Sequence, residues 1–404
     1  VRGIVAEQPA FDRGLNKIAT TCVVDRARVL RHNTAPCVTQ GHSRASHETF
    51  AKVTEVSNSK AKKELNWAEL GFQYRQTDFR FSATYSDGAW SSGELLESPL
   101  IAVHEGAPAL HYAQQCFEGM KAQTAPDGRV LLFRPELNSE RMNQTAERLL
   151  MPQVPLDLFL RGVEQAVRAN YAWIPPYGSG ASLYIRPMLI GVGENLGLRP
   201  AKAFEFRVFV SPVGPYYKSA GLAVISLAVS EFDRAAPAGT GAFKAGANYA
   251  GGLLATRHAQ ALGANEALYL DSKTRTYIDE AGSANIVVAM KGNRLVSPKS
   301  NAILPSVTRR SVMTLAEEQM KMQVENRPID LRAELPDFEE VAACGTAAVL
   351  SPVGKIWVDG QWHAFYGNGE KVGPVMQKLY DLLVGIQRGE LADAHGWTRE
   401  VPID

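Results

Sequence analysis

From Leu65 onward, short runs of β-branched and aromatic residues alternate with segments of helical period, which restricts the chain to an α/β or α+β architecture. Strand-like runs fall at 79–84, 130–133, 182–190, 206–210, 223–229, 267–271, 286–290 and 341–344. Helical patterns fall at 138–150, 158–172, 251–262 and 307–322. In the first of them Asn138 caps a stripe of Met142, Ala146, Leu149 and Leu150. The last opens on Pro305-Ser306. Breakers from Ser211-Pro-Val-Gly-Pro215 to Gly221 read as a linker. A chain of 404 residues suits two domains. They are expected as a smaller N-terminal α/β domain at 64–210, a linker at 211–220 and a larger C-terminal domain at 221–404.

Residues 1–62 keep neither period, and this segment is expected to be a disordered extension or the product of a start called too far upstream. The chain begins with Val1 and its first methionine is Met120. Scattered acids (Glu7, Asp12, Asp25, Glu48, Glu55) argue against an organellar transit peptide, and no secretory signal pattern is present. Lys plus Arg number 43 against 42 for Asp plus Glu, a balance that gives no footprint for nucleic acid or an anionic membrane surface. Apolar stretches such as 222–229 fall far short of the ~20 residues of a membrane span. Cys22, Cys37, Cys116 and Cys344 have no close spacing, so no metal ligand set is expected. They read as reduced thiols of a cytoplasmic protein.

Four short segments could carry chemistry. In Gly239-Thr-Gly-Ala-Phe-Lys244-Ala-Gly-Ala-Asn-Tyr249-Ala-Gly-Gly252 a single lysine sits among small residues that let a ligand approach the backbone. No Gly-Lys-Ser/Thr follows, which excludes a Walker A loop, and Gly191-Val-Gly193 lacks the third glycine of a dinucleotide fingerprint. Glu280-Ala-Gly-Ser283-Ala-Asn285 places a carboxylate at a strand end. Leu304-Pro-Ser306-Val307-Thr308 opens a helix with free N–H groups, and Cys344-Gly345-Thr346-Ala347 turns out of a strand with another free pair. Each alone has a plain explanation: a surface loop, a hairpin with a solvated glutamate, an empty helix end, an ordinary turn. Together, a lysine, a carboxylate and two anion nests meet the needs of pyridoxal 5′-phosphate.

At these residues the chain closely resembles the branched-chain amino-acid aminotransferases, which are two-domain, fold type IV pyridoxal-phosphate enzymes of class IV. The resemblance runs from about Leu65 to the C-terminus. It is carried by Leu110-His-Tyr112-Ala-Gln-Gln-Cys-Phe117-Glu-Gly119, Phe133-Arg-Pro-Glu-Leu-Asn138-Ser-Glu-Arg141-Met142 and Leu183-Tyr184-Ile-Arg186-Pro187, together with the four segments above. It implies that Lys244 is the Schiff-base lysine and acid/base, and that Tyr249 bonds the cofactor's phenolic oxygen. By the same resemblance Glu280 pairs with the pyridine nitrogen, while Arg141, Val307, Thr308 and Thr346 hold the phosphate. The substrate pocket would comprise Phe72, Tyr112, Phe117, Tyr184, Arg186, Tyr216 and Ser283, with the Thr346-Ala347 amides on the α-carboxylate. Leu198 would come from the other subunit of a homodimer. The implied activity is reversible, ping-pong amino transfer between L-leucine, L-isoleucine or L-valine and 2-oxoglutarate, without a metal.

Two departures from the family pattern stand out. Ser306 occupies a position that is commonly glycine, so either the phosphate turn differs or the serine hydroxyl contributes. Ala348 and Ser351 replace the Cys-x-x-Cys of some eukaryotic members, so thiol regulation of that kind is not expected. Competing readings are a D-amino-acid aminotransferase, an aminodeoxychorismate lyase and a non-catalytic phosphate-binding protein.

Overall fold

A computed structural model describes residues 61–216 and 222–403. The extension expected at 1–62 therefore lies, up to residue 60, outside the described residues, as do positions 217–220 of the expected linker, while its positions 211–213 end the strand Phe204–Val213.

Two nine-stranded sheets organise the chain. The first is antiparallel and runs Thr398–Val401, Val130–Phe133, Met120–Thr124, Ser182–Gly191, Phe204–Val213, Arg80–Ser86, Ala89–Trp90. Pro135–Arg148 and Leu156–Ala169 cover one of its faces, burying Met142, Ala146, Phe159 and Val163 against Phe81 and Phe206. Gly162 is needed there, because a Cβ would lie 2.7 Å from the Phe81 ring. The second sheet is mixed and runs Ile278–Ala281, Glu266–Leu270, Ile225–Val229, Val349–Val358, Phe338–Gly345, Asn285–Met290, Arg294–Ser297, Gln323–Asn326. Val307–Met320 and Pro374–Gln387 pack Val312, Leu315, Met376 and Leu379 against Val287, Ala342 and Leu350.

The eight strand-like runs and four helical patterns read from the sequence fall on elements of the structure within a few residues, as periodicity should where one face is buried. Met120–Thr124, Ile278–Ala281, Arg294–Ser297, Gln323–Asn326, Val349–Val358 and Pro374–Gln387 are not among them. The helix expected at 138–150 starts earlier, at Pro135, a residue preset for the first helical turn. The final strand, Thr398–Val401, leaves the second half of the chain and pairs antiparallel with Val130–Phe133. Chain order alone does not suggest that return.

Ser182–Gly191 shapes the site through Pro187, which cannot donate to a ladder. On one side this strand pairs with Gln115–Phe117 and then with Met120–Thr124. Between them Glu118 and Gly119 pass opposite Arg186-Pro187, where the ladder is interrupted. The Pro187 carbonyl accepts from Glu118 N at 2.8 Å, so the side of Pro187 that lacks an N–H faces this break. Glu118 is fully buried at this break.

Candidate active site

A cavity of about 490 Å³ is walled by residues of both sheets and their loops, within the range of small-molecule sites. Lys244 projects into it half-buried, its Nζ donating to the Tyr249 hydroxyl at 2.9 Å and lying 4.7 Å from the centre of the Phe117 ring. The lysine backbone is fixed independently of the side chain. Its N–H donates to Thr145 Oγ1 at 3.0 Å and its carbonyl accepts from Phe117 N at 3.3 Å. Asn248 braces the preceding loop, donating to the Thr240 and Phe243 carbonyls at 2.7 and 2.9 Å. Gly246 lets the loop pass Gln115, whose amide nitrogen would lie 2.3 Å from a Cβ. The small residues read from the sequence thus build a tight, braced lysine loop.

Glu280, at the end of Ile278–Ala281, is held by three groups on three segments. Arg234 Nη2 meets its Oε1 at 2.6 Å, Leu304 N donates to the same oxygen at 3.3 Å, and Asn285 Nδ2 donates to Oε2 at 2.6 Å. Burial pushes the Glu280 pKa upward, and Arg234 and the Leu304 amide oppose that rise. Arg234 also donates to the Ala302 carbonyl at 2.9 Å and to the Gly241 carbonyl at 3.2 Å. One guanidinium therefore joins the acid, the lysine loop and the approach to the helix that begins at Val307.

Arg141 is buried and makes a two-bond contact with Glu118, Nε to Oε1 at 2.7 Å and Nη2 to Oε2 at 2.8 Å, while Nη1 donates to the Pro305 carbonyl at 2.8 Å. Ser306 has φ −81° and is not in the left-handed region. Its hydroxyl caps the helix by accepting from Arg309 N at 3.1 Å, so the contribution of the hydroxyl is the outcome at this departure from the family pattern. Val307 and Thr308 supply first-turn N–H groups, which have no intrahelical acceptor, and border a recess shared with Gly345 and Thr346. The turn at 346–348 closes through Val349 at φ 60°, a strained conformation for a β-branched residue. Lys121 supports that turn from beneath, donating to the Ala347 carbonyl at 2.8 Å. Burial and the nearby Arg388 push its pKa down to about 8.

Above the lysine the wall is aromatic. Phe72 meets Tyr184 and Tyr216 edge-on at 5.1 and 5.0 Å. Arg186 Nη2 donates to the Tyr184 hydroxyl at 3.1 Å, and its guanidinium lies 4.7 Å from the Phe117 ring centre. Ser283 stands at the exposed rim, its Oγ donating to Glu266 at 3.1 Å. Tyr112 and Leu198 do not line this cavity. The Tyr112 hydroxyl donates to the Leu196 carbonyl at 2.6 Å, and Leu198 is 84% exposed. Gly119 leaves room for Tyr184, since a Cβ would lie 2.2 Å from its hydroxyl. Gly119→Ala should therefore destabilise the fold by about 1–3 kcal/mol through overpacking. A urea midpoint equal to the parent's would rule out that clash.

Glu118, Arg234 and Lys121 are the site residues that sequence reasoning missed. Glu118 carried a signal, because it lies inside the Phe117-Glu-Gly119 motif and faces a proline-bearing strand.

The arrangement suits pyridoxal phosphate. An amine with a hydroxyl partner, a buried carboxylate and the turn at 345–347 converge on one cavity, and the Val307 and Thr308 amides border a recess that shares Gly345 and Thr346 with it. Among the described residues, Asn285 Oδ1 and Arg186 Nε are buried in its wall without a hydrogen-bond partner, which is costly unless a polar ligand supplies one. A larger groove of about 640 Å³ along 65–76 and 212–216 contains neither the lysine nor Glu280. No group of three or more potential metal ligands, and no helix long and apolar enough to cross a membrane, occurs among the described residues.

The pattern that defines the amino-transferase class IV family matches residues 115–356. A branched-chain-amino-acid aminotransferase of Haemophilus influenzae is 48% identical over 344 residues, covering 84% of this chain and 99% of its own length. One from Helicobacter pylori is 47% identical, covering 83% of this chain and 98% of its own. The crystal structure of the Escherichia coli branched-chain amino acid aminotransferase superposes with a TM-score of 0.67 at 27% identity, over 81% of this chain and all of that one. The chain belongs to the class IV aminotransferases, among the branched-chain-amino-acid aminotransferases of fold type IV.

Proposed function

We propose that this chain transfers the amino group of L-leucine, L-isoleucine or L-valine to 2-oxoglutarate, in two half-reactions at one site. The observation that carries this reading is the Lys244 amine 2.9 Å from the Tyr249 hydroxyl, in the same cavity as Glu280 and an aromatic wall rimmed by Arg186.

Pyridoxal phosphate, when bound, supplies the electron sink that makes the substrate's α C–H acidic. Lys244 would carry it and move the proton at that carbon, with Tyr249 holding the amine in line. Tyr249 would also meet the cofactor's phenolic oxygen and Glu280 its ring nitrogen. Arg141, Thr346 and the amides of Val307 and Thr308 would hold the phosphate. The Thr346 and Ala347 amides would take the α-carboxylate, and Phe72, Phe117 and Tyr216 the alkyl side chain, with Ser283 at the rim. A methylene changes the affinity of such a pocket by only ~1–3 kcal/mol, so all three branched substrates should be accepted. Arg186 with Tyr184 would bind the distal carboxylate of glutamate. Tyr112 and Leu198, tied to one exposed surface, would serve the neighbouring site of a homodimer in the cytoplasm.

The direct test is amino transfer from L-isoleucine to 2-oxoglutarate by the purified, cofactor-loaded protein. Turnover confined to D-alanine would replace this reading with the D-specific one. Arg186→Met should lower kcat/KM for glutamate and 2-oxoglutarate roughly 10–100-fold, the value of ~1.5–3 kcal/mol for a hydrogen bond to a charged group. The leucine half-reaction should change far less, and equal losses in both would reject the assignment of Arg186.

A further inference from the structure

Glu118 is a charged residue with no exposed surface, set at the strand break opposite Arg186-Pro187. Such a carboxylate persists only when its oxygens are fully partnered. Here Oε1 accepts Arg141 Nε, while Oε2 accepts Arg141 Nη2, Asn138 Nδ2 at 2.7 Å and Gly119 N at 3.1 Å. Burial alone would raise its pKa, but the pairing with Arg141 prevails and holds the carboxyl below its ordinary range.

A guanidinium has five N–H hydrogens in a fixed plane. Glu118 takes the two on the Nε–Nη2 edge, and the Pro305 carbonyl takes one on Nη1. One hydrogen each on Nη1 and Nη2 remains; with the Pro305 carbonyl on the Nη1 hydrogen of the Cδ side, these two form an end-on fork that matches two oxygens of a phosphate. The backbone beside Glu118 is bound to the lysine loop, since Phe117 N donates to the Lys244 carbonyl and Cys116 bridges to Ala245.

We propose that Glu118 is a positioning residue that clamps Arg141 so that its end-on fork faces the cofactor's phosphate, and that it ties this fork to the strand bound to Lys244. The proposal rests on the reading of Arg141 as a phosphate ligand. Because Glu118 already balances the guanidinium charge, phosphate affinity at this position comes from fork geometry rather than from net charge.

Equilibrium dialysis of the full-length protein against pyridoxal 5′-phosphate, and separately against pyridoxal, separates the phosphate contribution from the rest. Arg141→Gln should weaken pyridoxal 5′-phosphate binding about tenfold or more and pyridoxal binding hardly at all, the scale of one charge-assisted hydrogen bond. Glu118→Gln should produce a similar selective loss. Combined with Arg141→Gln it should add nothing further, because it acts through that arginine. If Glu118→Gln does not fold, Glu118→Asp keeps the charge, withdraws it by one methylene, and should give the same selective loss. An equal loss for both ligands, or tighter binding of pyridoxal 5′-phosphate, would overturn the positioning role. An Arg141→Gln protein that does not distinguish the two ligands would instead remove the phosphate reading beneath it.

Discussion

Lys244→Ala is expected to reduce amino transfer by at least the ~10²–10⁴-fold that a positioned proton carrier contributes, with the fold retained. The retention follows from how the loop is held. Thr145, Phe117 and Asn248 fix its backbone without using the lysine side chain. The amine is half-buried, and its loss leaves the Tyr249 hydroxyl close to a cavity that water can enter. Initial rates with L-leucine, together with a thermal melt of the same preparation, check both halves of the expectation. A small primary amine added to the assay should restore part of the rate, because the missing group is an amine next to a braced hydroxyl. Residual turnover within tenfold of the parent would mean that another base takes the α proton.

Lys244 and Glu280 stood out in the sequence only when their segments were read together, one lysine among small residues and a carboxylate at a strand end, and Tyr249 came with the family resemblance; the structure brings all three to one cavity. The strands and helices that were legible, among them Val130–Phe133, Ser182–Gly191 and Val307–Met320, were so because one face of each is buried. Partners brought together by the fold were not. Arg141 reaches Glu118 across 23 positions, Arg234 reaches the Ala302 carbonyl across 68, and Lys121 reaches the Ala347 carbonyl across 226. Local spacing encodes none of these. The role of the Ser306 hydroxyl depended on φ at that position, and only the folded backbone fixes φ.

Glu280→Gln should cost both stability and rate, for separable reasons. The side chains of Glu280 and Arg234 are 3% and 6% exposed and lie 2.6 Å apart. Removing one partner of a buried ion pair leaves the other charge without compensation, a cost of about 3–5 kcal/mol. The isosteric amide retains an oxygen for Arg234, so the loss should fall near the lower end of that range. Its new N–H₂ would face the Asn285 Nδ2 donor, but Asn285 can turn its amide and present Oδ1, which has no partner among the described residues. Rate should fall for a different reason, because a neutral amide would give up the negative charge that the proposed role of Glu280 places against the cofactor's ring nitrogen. Deleting one preorganised electrostatic contact of this kind typically costs 10²–10³ in kcat. Urea unfolding of the loaded protein reads the first effect and kcat with saturating substrates reads the second. Unfolding free energy reduced as expected with kcat unchanged would assign Glu280 to the architecture of the Arg234 junction alone. A drop in kcat with stability intact would mean that the pair is relaxed by water or by movement of Arg234, with the carboxylate still needed for the reaction.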